Sequence, residues 1–88
     1  MNKEKNKTVF NGVVIFPNPS KNIFNINSVS FIKSLYVYNS IGKLVLERQD
    51  INQKNITFDL KNHKTGLYYV KVETEQTIKT YKIVKTLL

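Results

Sequence analysis

The chain has 88 residues, 41% of them hydrophobic, and a formal net charge of +8. A chain of this length makes one domain and buries only roughly 60–65% of its unfolded surface, so its core is small. Having no cysteine, it carries neither a disulfide nor a reactive thiolate, and no apolar run is long enough to cross a bilayer as a helix.

The positive surplus comes almost entirely from lysine, with a single arginine at Arg48. A basic balance of this size fits an anionic partner such as an acidic polysaccharide, lipid headgroups or nucleic acid. A dedicated phosphate reader carries more arginine, for bidentate contacts. The lysine surplus therefore reads first as solubility and second as recognition.

Residues 1–12 read as a linker. They are polar and charged, lack the apolar core of a secretory signal, and close on the turn dipeptide Asn11-Gly12. A domain acting outside the cytoplasm would then take its export signal from a larger precursor. The domain itself is expected over residues 13–88. Its first strand is 13–16, stopped by Pro17-Asn18-Pro19-Ser20. Two prolines fix two φ angles and remove two ladder donors, and Asn18 is held extended by the proline after it. This stiff corner redirects the chain into a second strand, 23–27, with Phe24 and Ile26 on one face.

Ser28-Val29-Ser30 reads as a loop, and 31–38 as the third strand, with Leu35 and Val37 inward. Asn39-Ser40-Ile41-Gly42 is a hairpin loop with Gly42 at positive φ. The chain returns over 43–49, with Leu46 inward, and passes through a polar loop. Residues 55–60 then alternate most cleanly, with Ile56, Phe58 and Leu60 inward.

Gly66 opens the C-terminal hairpin. Tyr68, Val70 and Val72 share one face of its first strand, Glu75-Gln76 makes the turn, and 77–85 is the second strand. A helix over 77–85 would gather Lys79, Lys82 and Lys85 on one face, but the threonine, tyrosine, isoleucine and valine content favours a strand. In a strand Lys82 and Lys85 lie on opposite faces, being an odd number of residues apart. Seven short strands with frequent turns and no amphipathic helix predict an all-β fold, a seven-stranded antiparallel β-sandwich with immunoglobulin-like layering.

Nothing in the chain assembles a catalytic centre. His63, the single histidine, sits in the polar run Asn62-His63-Lys64, and the six acids are scattered. No cofactor or metal site is expected: no cluster has metal-ligand spacing, and the glycines are isolated turn residues rather than a phosphate loop. The tyrosines at 36, 38, 68, 69 and 81 read as strand packing before they read as a stacking platform.

Four places carry a resemblance. They are Val14-Ile15-Phe16-Pro17-Asn18-Pro19, Val37-Tyr38-Asn39-Ser40-Ile41-Gly42-Lys43, Gly66-Leu67-Tyr68, and the closing Lys82-Ile83-Val84-Lys85. In this order they resemble the C-terminal sorting domain of the type IX (Por) secretion system, type A. The turn after Pro19 departs from it, having Ser20-Lys21-Asn22 where the family often has a glycine.

The resemblance implies a non-catalytic address at the C-terminus of a cargo protein. The cargo enters the periplasm by an N-terminal signal, folds, and is recognised by the outer-membrane translocon. A cell-surface protease then usually removes the domain, leaving the cargo on the surface or in the medium. Recognition is expected at Gly66, Tyr68, Lys82, Ile83, Val84 and Lys85, with Pro17, Asn18, Pro19 and Gly42 as the structural corners. No nucleic acid and no membrane insertion are implied. The alternative is a basic β-sandwich module that binds an anionic glycan or other polyanion.

Overall fold

The computed structural model describes residues 12–87, so the expected linker over 1–12 lies outside the described residues apart from Gly12. Six strands follow in order: β1 (Val13–Phe16), β2 (Ile23–Asn39), β3 (Leu44–Arg48), β4 (Gln53–Asp59), β5 (Gly66–Thr74) and β6 (Ile78–Lys85). All named strand pairs are antiparallel, as the alternation in the sequence predicts, and residues 78–85 form a strand and not a helix.

The count is six because Ser28-Val29-Ser30 is not a loop. It lies inside β2, a single strand of 17 residues. β2 is the spine of the sheet. Asn27 stands between Val14 of β1 and Asn55 of β4, and Leu35 stands between Arg48 of β3 and Val72 of β5. β3 and β4 therefore follow one another along one side of β2. β1 and β5 share the other side, and β6 pairs with β5 beyond them. Where two packed sheets are expected, the structure has one sheet curled into a half-barrel. The curl brings Ser20, just past β1, against Lys85 at the end of β6 in an isolated parallel bridge.

The inward parity of β2 does change, but a little beyond the expected loop. Phe24, Ile26 and Ile32 are buried at even positions, and Leu35 and Val37 at odd ones. A regular strand cannot do this, since successive side chains alternate faces. The structure resolves the conflict with a β-bulge. Between Ile32 and Ser34 the register against β5 moves only from Thr74 to Glu73, leaving Lys33 as the extra residue. The bulge bends β2 and flips its parity while the strand continues. The buried Ser34 hydroxyl donates to the Glu73 carboxylate at 2.7 Å.

The concave face carries one core, built from Val13, Phe24, Ile26, Ile32, Leu35, Val37, Ile56, Phe58, Leu60, Tyr68, Val70, Val72 and Ile83. Of the expected inward residues, only Leu46 is not buried. A second bulge, between Val37 and Tyr38 opposite β3, leaves Val45 and Leu46 both half-buried against the core. Phe24 and Phe58 are directly opposite across β2 and β4, with ring centroids 5.4 Å apart and stacked. Val13, Ile32 and Ile83 join the core without having been expected there.

The hairpin between β2 and β3 forms as the sequence predicts. Gly42 has φ 87°, a left-handed conformation that costs glycine little. The Asn39 side-chain oxygen accepts from the amides of Ile41 and Lys43 at 3.1 and 2.9 Å, and the Gly42 amide donates to the Asn39 carbonyl at 2.9 Å. Asparagine fits this position because its short amide supplies the acceptor that the turn requires.

Candidate functional site

The Pro17-Asn18-Pro19 corner meets β6 edge-on. Both X-Pro bonds, Phe16–Pro17 and Asn18–Pro19, are cis. The Asn18 side chain behaves like a short piece of neighbouring strand. Its Nδ2 donates to the Lys82 carbonyl at 3.1 Å, and its Oδ1 accepts from the Val84 amide at 2.9 Å. Ser20 continues the contact through its backbone. Its amide donates to the Val84 carbonyl at 3.1 Å, and its carbonyl accepts from the Thr86 amide at 2.9 Å. Two segments more than sixty residues apart in sequence thus close the C-terminal half of the β6 edge, where an open edge would otherwise present unpaired backbone groups.

β5 meets the same stretch from the other side. Gly66 lies opposite Lys85, Leu67 opposite Val84, Tyr68 opposite Ile83 and Tyr69 opposite Lys82. Tyr68 in turn lies opposite Asn39, where the β2–β3 hairpin begins. All four motifs therefore gather at one end of the sheet, around the last residues of β6.

The residues expected to carry recognition divide by face. Ile83 is fully buried and Tyr68 nearly so, both in the core. The Tyr68 hydroxyl donates to the Lys64 carbonyl, and desolvation raises its pKa above the ordinary tyrosine value. Lys85 faces inward with only 7% of its surface exposed. No hydrogen bond or ion pair of its side chain is present among the described residues, and no side-chain nitrogen is buried without a partner. Its aliphatic stem therefore covers the end of the core while the ammonium reaches solvent.

Lys82 and Val84 face outward, Val84 with 39% exposure, and Gly66 is also exposed. Their cross-strand neighbours Tyr69 and Leu67 are half-buried on that outer face. Tyr38 flanks Tyr69 there, and the Lys71 ammonium lies 5.1 Å from the centroid of the Tyr36 ring. Leu67, Tyr69 and Ser20 are the members of this region absent from the expected recognition residues. The first two could be found by counting back from the Glu75-Gln76 turn.

The role of Asn18 is directly measurable. Asn18→Ala removes two exposed side-chain hydrogen bonds to the β6 backbone, each worth roughly 0.5–1.5 kcal/mol at most. Urea denaturation is expected to show a loss of about 1 kcal/mol, and hydrogen exchange at the Val84 amide should accelerate while the Thr74 amide, bonded to the Thr77 carbonyl, keeps its protection.

A family model described as "Secretion system C-terminal sorting domain" matches residues 14–86, which include all four motifs. Among solved structures, the chain is similar to PorZ, an essential bacterial surface component of the type IX secretion system of Porphyromonas gingivalis. The match has a TM-score of 0.63 at 16% identity, over 85% of this chain and 11% of that one. The chain thus spans about a tenth of PorZ, and the likeness is one of fold. No curated protein matches the chain. With nearly its whole described length matched, and with its motifs joined at one end of a curled sheet, the chain belongs to the family of type IX (Por) secretion C-terminal sorting domains, non-catalytic domains that serve cargo proteins as their secretion signal.

Proposed function

We propose that this domain is a sorting signal of type A, read in its folded form at the outer face of the β5–β6 end. The observation that carries this reading is the seating of the Pro17-Asn18-Pro19-Ser20 corner on the β6 edge. Because the corner and the final strand are far apart in sequence, the surface they make together exists only once the chain has folded. A cargo would then be accepted in the periplasm after folding, which suits an address that must report a finished protein.

In this reading Lys82 and Val84, with Tyr69 and Leu67 beside them, form the contact surface. Ile83, Tyr68 and Lys85 hold that surface in place from the core side. The partners are the outer-membrane translocon and, afterwards, a cell-surface protease that removes the domain from a cargo joined to its N-terminal side. The protein would pass through the periplasm and end on the cell surface or in the medium. The uncovered part of the β6 edge lies next to this surface. Lys82 and Val84 turn their backbone groups toward the corner, and by the same alternation Ile78 and Thr80 turn theirs to the open edge, where an extended partner segment can add as a strand.

Lys82→Glu in a reporter fusion exported to the periplasm tests the contact surface. Lys82 is exposed, so the variant is expected to keep its unfolding midpoint. Surface arrival should fall several-fold, because reversing a contact charge slows encounter and opposes docking. The same reversal at Lys5, before the domain, should leave export unchanged. Equal export by the Lys82 and Lys5 variants would refute the surface.

A further inference from the structure

The mouth of the half-barrel holds a second feature, next to the β6 face and sharing Leu67 with it. A cleft of about 650 Å³ opens between the β2–β3 hairpin and the segment leading into β5, within the size range of roughly 300–1,000 Å³ typical of ligand sites. Two of the four motifs wall it, the hairpin with Gly42 and the Gly66-Leu67-Tyr68 stretch. Its charge is one-sided. Lys43, His63 and Lys64 line it, and no aspartate or glutamate does among the described residues. Neither lysine ammonium has a hydrogen-bond or ion-pair partner among those residues.

We infer that this cleft binds a short acidic peptide segment of a partner protein, with carboxylates on Lys43 and Lys64 and an aliphatic side chain against Ile41 and Leu44. The charge selects an anion, and three observations make that anion a peptide. First, three consecutive amides of the hairpin are not available to cradle a phosphate. Those of Ile41, Gly42 and Lys43 are all satisfied by Asn39, and the His63 amide donates to the Leu60 carbonyl. Second, the wall is partly apolar: Ile41 is 84% exposed and Leu44 41% exposed, and both are left for a partner to cover. Third, the walls are fixed before binding. The hairpin is held by Asn39, and the opposite segment is held by the bond from the Tyr68 hydroxyl to the Lys64 carbonyl, so little ordering entropy opposes docking.

The inference rests on reading the domain as an address recognised by proteins, and it supplies a second contact with different chemistry. In an export pathway, such a contact would suit a partner other than the one that reads β6.

The test is an NMR titration of the 88-residue chain with a capped pentapeptide alternating glutamate and leucine. A lysine–leucine pentapeptide and inorganic phosphate serve as controls. Saturable shifts are expected at Ser40, Ile41, Lys43, Lys64 and Thr65 with the acidic peptide alone, weakening as salt is raised. The double variant Lys43→Glu, Lys64→Glu alters exposed side chains and should keep its dispersed spectrum while binding about tenfold or more weakly, each tenfold being 1.4 kcal/mol. Ile41→Ala should weaken binding without removing the salt dependence. Shifts spread equally over Lys54, Lys71 and Lys79, equal binding by the reversed variant, or no saturation at cleft residues would each overturn the inference. If the cleft fails while export still depends on Lys82, only this inference falls. If export does not depend on the domain at all, the sorting reading falls as well.

Discussion

A reporter fused to this domain, exported to the periplasm of a bacterium carrying the type IX machinery, reaches the surface or the medium with the intact domain and stays in the periplasm when residues 77–88 are deleted. The expected effect is near-complete, for two reasons that the structure separates. β6 pairs with β5 from Glu73–Ile78 through Gly66–Lys85, so its loss bares the edge of β5 and removes Ile83 from the core. Its loss also removes the outer-face residues Lys82 and Val84 and leaves the Asn18 corner without the strand it caps. Comparison with Lys82→Glu, which leaves the core intact, tells failed folding from failed recognition. Lys85→Glu is unsuitable for that purpose, because Lys85 is almost wholly buried and its reversal places a carboxylate at the end of an apolar core. Export of the deletion at the level of the intact fusion would refute the proposed reading, and binding of an anionic glycan would become the reading to pursue.

Phe58→Ala is expected to cost about 3–5 kcal/mol, the range for truncating a large aromatic in a core. Phe58 is 3% exposed, and its ring stacks on Phe24, itself fully buried. The pair ties β4 to the first half of β2, so the truncation leaves a cavity where β2 begins its course toward the bulge. Domains are stable by only about 5–15 kcal/mol, and one this small sits toward the lower end. The variant should therefore be substantially unfolded at moderate urea where the parent chain is native, as circular dichroism or tyrosine fluorescence would show. A change below 1 kcal/mol would mean that the stacked pair is not part of a close-packed core.

The sequence by itself determined which stretches alternate, most of their inward faces, and the hairpins at Asn39–Gly42 and Glu75-Gln76. Alternation is local, so Ile56, Phe58 and Leu60, or Tyr68, Val70 and Val72, declare their face without knowledge of what covers it. The Asn39–Gly42 turn is likewise local chemistry. Even the β5–β6 register was legible: a two-residue turn at Glu75-Gln76 puts Thr74 opposite Thr77, and counting back puts Tyr69 opposite Lys82, as observed.

Only the tertiary structure decided how those strands are joined. The parity change between Ile32 and Leu35 is visible in the sequence, but a loop and a bulge satisfy it equally until the strand on either side is known. Partners on both sides of β2 carry it through as one strand with a bulge, making a single curled sheet of six strands. The curl, in turn, brings the corner at Asn18 onto β6. Spacing alone establishes that these two lysines point to opposite faces. The legible register then puts Lys85 on the inward side with Tyr68 and Ile83. What closes the β6 edge lies up to 66 positions away, and no local pattern encodes a neighbour at that distance.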